Sequence, residues 1–177
     1  IVNNMINTRF GGVDCIAADT DAITLAKNLA PIRIMMGKRE TCGLGTGVNP
    51  KVGMSAATES RECIQKALAG ADLIFIVAGF GGGTGTGAVP VIASLAKDMD
   101  IQAIAFIIKP FNFEGKHRLS LAIDGVSNLS SEGIPVITIP NQKLLSLVDE
   151  NTTMMDAFLE VDNVFRQIVR SIIDLTT

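Results

Sequence analysis

The stretch Gly79-Phe80-Gly81-Gly82-Gly83-Thr84-Gly85-Thr86-Gly87 limits what this chain can fold into more than any other. It follows an apolar segment of strand length, Asp72 to Ala78, and precedes a helical pattern running from Ala88 to Asp98. Strand, glycine loop and helix in that order have a physical use. A helix N-terminus presents unpaired N–H groups and a partial positive charge. Glycines allow positive φ and let the backbone come close to a phosphate, while Thr84 and Thr86 add hydroxyl donors. The junction reads as an anion cradle, whereas a flexible linker has no reason to lie between a strand and a helix.

Missing residues narrow the choice of loop. A Walker loop needs Lys-Ser or Lys-Thr after its last glycine, and here Ala88-Val89 follow. A dinucleotide fingerprint wants an acidic ribose partner about 20 residues on, at a strand end. The next strand, Ile101 to Ile108, ends in Lys109-Pro110.

The chain has 177 residues, enough for one domain with a full core. Its net charge of −3 offers no basic field to hold nucleic acid or an anionic membrane, which leaves small molecules and other proteins as partners. No apolar run reaches the roughly 18 residues of a membrane span, so a cytosolic protein is expected. Cys15, Cys42 and Cys63 are far apart, without a Cys-x-x-Cys pair and with His117 the one histidine, so structural thiols and no metal cage of protein side chains are expected. Ile1 to Asn7 reads as the tail of a helix and Thr177 stops within a periodic pattern, so truncation at both ends is expected.

Along the chain, Val13 to Ala18 reads as a short strand followed by Asp19-Thr20-Asp21, which either cap the next helix near Ala22 to Lys27 or touch a ribose or phosphate. Ile32 to Met36 is a second strand. A second glycine loop, Cys42 to Pro50, then precedes a helix from about Lys51 to Ala69. Ile101 to Ile108 is almost continuously apolar, as in a parallel sheet covered on both faces. Glu114 and Arg118 are spaced for an ion pair on one helical turn. Leu119 to Ser131 is helical, Val136 to Ile139 is a strand, and Asn141 after it either caps a helix or reads a purine edge. Phe158, Val161, Phe165, Ile168, Ile172 and Leu175 recur at alternating spacings of three and four. They mark one face of a long helix over 154–175. Phe158 and Asp162 either serve core and solvent or face a ligand near its start.

Strands alternating with helices predict a doubly wound, mainly parallel α/β sheet, Rossmann-like, with ligands outside the carboxyl ends of the strands. The segments 19–21, 81–87 and 109–114 and residue Asn141 all follow strand ends and should converge on one edge.

These motifs carry a resemblance. Gly81-Gly-Gly-Thr-Gly-Thr-Gly87 resembles the signature loop of the tubulin/FtsZ family of GTPases. Thr20-Asp21-Ala22, Gly43 to Pro50, Pro110 to Gly115, Ile139 to Asn141 and Asp162 to Gln167 resemble other pieces of the family's FtsZ pattern, all in one register along nearly the whole chain. The resemblance implies a GTP-binding domain over residues 1–177 with GTP or GDP as ligand and Mg2+ bound with the nucleotide. Gly81, Gly82, Gly83, Thr84, Gly85, Thr86 and Gly87 would cradle phosphates, and Gly45, Thr46 and Gly47 would face the terminal one. Pro110, Glu114 and Arg118 would lie at the ribose, and Asn141 and Asp162 would bond guanine with Phe158 against the ring. It further implies head-to-tail filaments of the bacterial cell-division ring, other division proteins as partners, and a bacterial cytoplasm, with a plastid stroma as the alternative.

The family pattern begins with a strand and glycine loop that would lie before Ile1, which predicts a slot between the strand at Val13 and the one at Asp72, and either poor stability and weak GTP binding of this chain alone or an N-terminal segment in the intact protein. The acidic loop that acts on a neighbour's nucleotide, and the second domain beyond the 154–175 helix, are likewise absent. No complete catalytic set is therefore expected in the chain. Asp19 stands where the family commonly has asparagine. The competing readings are a dinucleotide-binding oxidoreductase domain and a noncatalytic fragment that caps filaments.

Overall fold

The computed structural model describes residues 2–7, 12–140, 142 and 154–176, the side chains of 140, 154–158, 160–161 and 175–176 excepted. In chain order the elements are α1 (Val2–Asn7), β1 (Ile16–Asp19), α2 (Ala22–Ala26), β2 (Ile32–Met35), α3 (Pro50–Glu59) and α4 (Arg61–Leu68). They continue as β3 (Leu73–Gly79), α5 (Thr84–Asp98), β4 (Gln102–Lys109), a 3-10 turn (Asn112–Glu114), α6 (Lys116–Ser131), β5 (Val136–Pro140) and α7 (Met154–Thr176). Local chemistry explains several starts. Asp21 caps α2 by accepting the Thr24 N–H at 2.8 Å. Asn49 caps α3 through the Lys51 N–H, with Pro50 preset at the first helical position.

All strand pairs are parallel. β1 pairs with β2 from Ile16 opposite Ile32 to Asp19 opposite Met35. In the order β3-β4-β5, Leu73 lies opposite Gln102 and Gly79 opposite Ile108, and β5 joins from Ala105 opposite Val136 to Lys109 opposite Pro140. Among the described residues no ladder joins β1 to β3, so the expected single sheet is split in two, at the position where the sequence predicts a slot.

Because side chains alternate along a strand, β4 serves two apolar layers. Ala103, Ala105 and Ile107 enter a large cluster with residues of α3, α4, α5 and α6. Phe106 turns the other way, toward Met5 of α1 and Phe165 and Val169 of α7, with Ile104 packed beside it. Phe106 and Phe165 meet edge to face at 5.0 Å between ring centroids, a favoured aromatic geometry. The predicted stripe of α7 is therefore its packing face from Phe165 to Ile173. The side chains of Phe158, Val161 and Leu175 are not among those described. A third small cluster, Ala17, Leu25 and Ala30, packs Val2 and Ile6 of α1 against the β1–β2 unit, so α1 touches both sheets.

The first strand starts at Ile16, three residues later than expected, and three helix boundaries differ from the sequence expectation for tertiary reasons. The helix expected over Lys51 to Ala69 breaks at Ser60, whose hydroxyl accepts the Gly37 N–H at 2.9 Å and pins the break to the end of β2. Helix α5 begins at Thr84 instead of Ala88, because Gly87 and Gly53 let α5 and α3 touch backbone to backbone. A Cβ at Gly87 would fall on the Pro50 carbonyl, and one at Gly53 on the Gly83 carbonyl. Helix α6 starts at Lys116 instead of Leu119, which puts Arg118 in its first turn.

Candidate nucleotide site

Parallel pairing puts the carboxyl ends of β3, β4 and β5 on one edge, and the loop after β3 starts there. Phe80 N–H extends the ladder by one bond, to the Ile108 carbonyl at 2.9 Å. Gly81 has φ of +98°, and a side chain there would meet the Arg118 carbonyl at 2.7 Å and the Pro110 ring at 3.1 Å. Only glycine fits that position. Its N–H is bonded to the Thr86 hydroxyl at 3.0 Å, so the loop is closed by one of its own threonines. Thr86 is thereby buried and turned inward, while Thr84 is half-buried at the first position of α5.

Two features leave this loop ready for an anion. Helix α5 has Gly83 at its N-cap and no side-chain hydrogen bond there, so its first amides are not satisfied by a capping residue. At Gly82 a Cβ would meet no heavy atom within 4 Å, so the backbone faces open space.

The second glycine loop abuts the first. A side chain at Gly83 would run into the Thr46 hydroxyl and would lie 2.7 Å from the Asn49 N–H. The Thr46 and Thr84 hydroxyl oxygens are 3.5 Å apart. Gly45 and Gly47 both have positive φ, +81° and +58°. The turn after β1 joins them: Thr20 is fully buried, its hydroxyl lies 2.6 Å from that of Thr84, and its carbonyl accepts the Gly45 N–H at 3.0 Å. Asp19 holds this turn by accepting the N–H groups of Thr20 at 2.7 Å and Asp21 at 3.2 Å with one oxygen. Asp21, as the α2 cap, has its carboxyl held below the ordinary aspartate range, chiefly by the Thr24 N–H. The cap reading of Asp21 thus holds alongside its place at the site edge.

Pro110 is buried against Gly81, and beyond it Glu114 accepts the Phe111 N–H at 2.9 Å and pairs with Arg118 at 3.0 Å. The ion pair expected from their spacing is formed. Phe113 stands exposed, stacked on buried Phe111 at 5.0 Å. Gln142, after β5, accepts the Asn112 N–H at 3.2 Å and ties the two loops together. Asp162 is half-buried on α7, while Asn141 and the Phe158 side chain lie outside the described residues. Among the described residues, no three His, Cys, Asp or Glu side chains are grouped to hold a metal ion, and no helix is long and apolar enough to cross a membrane.

Sequence reasoning missed Thr41, which is buried with its hydroxyl between the carbonyls of Thr20 (3.2 Å) and Gly37 (3.0 Å). It also read Thr20, with Asp19 and Asp21, as a helix cap or a ribose or phosphate contact and not as a junction. A hydroxyl residue beside a glycine loop is too common a signal to separate.

The geometry is that of two glycine loops and a strand-end turn around the start of one helix, and residues 3–149 match the profile of the Tubulin/FtsZ family, GTPase domain. The chain belongs to that family. The solved structures agree: an empty FtsZ dimer from M. jannaschii is 37% identical, with a TM-score of 0.90 over 98% of this chain and 50% of that one. A W319Y mutant of M. jannaschii FtsZ is 36% identical, with a TM-score of 0.87 over 98% of this chain and 52% of the other. GDP-bound CetZ1 from Haloferax volcanii shares the fold, at 21% identity and a TM-score of 0.80 over 94% of this chain and 52% of that one. The chain spans about half the length of the FtsZ chains it matches. The Gly81–Gly87 loop lies inside the residues matched to the family, and the α/β architecture is that of the FtsZ chains.

Proposed function

We propose that this chain is the guanine-nucleotide-binding unit of an FtsZ-like GTPase that assembles head to tail into filaments. One observation carries the reading: the uncapped start of α5 lies beside an open Gly82, with Thr46 of the second loop within reach of Thr84. An anion there meets the positive end of a helix dipole and backbone donors that no side chain uses. The β- and γ-phosphates of GTP suit two adjoining glycine loops, Gly81–Gly87 and Gly45–Gly47. Mg2+ would be held through the phosphates.

Pro110, Glu114 and Arg118 border the same loop and take the ribose side in this reading. Asn141 and Asp162, with Phe158 against the ring, read guanine. The FtsZ likeness at 36–37% identity, one example being a dimer, supports self-association; a place in a division ring with other division proteins belongs to the same proposal.

The test is an equilibrium titration of the chain with fluorescent GTP, ATP and NADH at fixed magnesium, repeated with Asn141→Ala. Preference for GTP, lost in the variant, is the expected result. Equal binding of ATP, or preference for NADH, rejects it, and an unchanged preference in Asn141→Ala rejects the base contact.

A further inference from the structure

The hydroxyl groups of Thr20, Thr84 and Thr46 are connected in sequence, with Thr84 in the middle, and the Thr20 end has no surface through which to reach a ligand. Thr20 is 0% exposed. Its hydroxyl lies 2.6 Å from Thr84 Oγ1, and Thr84 Oγ1 lies 3.5 Å from Thr46 Oγ1. Each hydroxyl has one proton and two lone pairs, so the direction of one bond constrains the next. If Thr20 donates to Thr84, the Thr84 proton must point away from Thr20, toward the open side of α5 or toward Thr46. The Thr20 backbone meanwhile holds the second loop, through its carbonyl to the Gly45 N–H at 3.0 Å and the Thr41 hydroxyl at 3.2 Å.

We propose that Thr20 is a positioning residue: it aims the Thr84 hydroxyl proton at the bound phosphate and couples the Gly81–Gly87 loop to the Gly45–Gly47 loop. The inference rests on the phosphate-binding reading above. With an anion present, the chain runs from Thr20 to Thr84 to a phosphate oxygen, each donor strengthened by the bond behind it. Without one, Thr46 is the acceptor in line for the Thr84 proton. Binding therefore releases Thr46 from Thr84 and leaves its hydroxyl for the ligand. Thr20 makes no contact with the nucleotide and acts only through Thr84 and Gly45.

The experiment compares the unmodified chain with Thr20→Val, Thr20→Ser, Thr84→Val and the double variant Thr20→Val/Thr84→Val. Each is titrated with GTP and, separately, with inorganic triphosphate, and its melting temperature is recorded. Thr20→Ala, also without the hydroxyl, repeats the comparison if valine at 20 prevents folding. Loss of one directed hydrogen bond to an anion predicts about tenfold weaker binding for Thr20→Val and for Thr84→Val. The double variant should be no weaker than Thr84→Val alone, and Thr20→Ser should stay within about threefold of the unmodified chain.

Binding by Thr20→Val within twofold of the unmodified chain overturns the proposal. So does a double variant whose loss is the product of the two single losses, because Thr20 then acts independently of Thr84. An unmodified chain that binds triphosphate without preferring GTP removes the guanine reading and leaves the coupling to be read on triphosphate. A chain that binds neither overturns both.

Discussion

Alanine at Gly82 separates binding from folding in one substitution. The Gly82 φ lies outside the left-handed region, and a Cβ there would meet no heavy atom within 4 Å. The folded chain can accept the methyl, and the unfolded chain loses freedom, which stabilises by about 0.4–1 kcal/mol. For a domain of this size that raises Tm by about 1–4 °C. On the proposed function, the same methyl stands in the space a phosphate enters. Displacing one charge-assisted hydrogen bond costs about 1.5–3 kcal/mol, or about 10- to 150-fold in Kd.

Gly85→Ala is the contrasting variant, since its Cβ would fall on the Gly79 carbonyl and 3.3 Å from the Ala78 methyl. Overpacking of that kind costs about 1–3 kcal/mol, which lowers Tm by about 2–12 °C. Thermal melts and fluorescent GTP titration of both variants at fixed magnesium check the pair. A Gly82→Ala chain that binds GTP within twofold of the parent, with an unchanged Tm, refutes the assignment of the open face to phosphate.

Three further outcomes follow from the packing and the titrating groups. Phe165 is almost fully buried against Phe106 and Met5, so Phe165→Ala should cost about 3–5 kcal/mol in urea unfolding, with the m-value unchanged. Asp21 has its carboxyl held low by the Thr24 N–H. Its cap therefore stabilises the fold above the unfolded aspartate pKa of about 3.9 and is lost as pH falls through the lower folded value. Asp21→Ala should accordingly be less stable than the parent at pH 7, with the gap closing in acid melts. Burial, with Asp14 adding to it, pushes the Cys15 thiol up, whereas Cys42 and Cys63 are exposed, so a disulfide reagent at pH 7.5 should modify Cys15 last, as read by peptide mass mapping.

The strand–loop–helix junction of the main loop was legible because it is local: an apolar run, glycines and a helical pattern follow one another within one short stretch. The apolar strand Ile101 to Ile108 was legible for the same reason, and it is β4, with both faces covered. Ser60 and Thr20 were not legible. Each acts through a partner distant in sequence, Gly37 for Ser60 and Thr84 for Thr20. The start of α5 was misjudged because glycine lowers helix propensity, and here helix–helix contact overrides it. The ion pair of Glu114 with Arg118 followed from spacing of four on one helical face, although the helix was expected to start after it.

The signature run thus divides into two classes of residue. Gly85 and Gly87 serve the packing of α5 against β3 and α3, and Thr86 turns inward to close the loop on Gly81. Gly82 faces open space, and Thr84 stands at the helix start next to the other hydroxyls. Within α5, Thr84 and Thr86 are two apart, about 200° around a helix, so one can face a ligand only if the other faces the core. The repeated Thr-Gly pattern therefore follows from geometry. In the proposed reading the outward threonine uses its hydroxyl for binding; the inward one holds Gly81, and the glycines after each are required by the strand and helix that touch there.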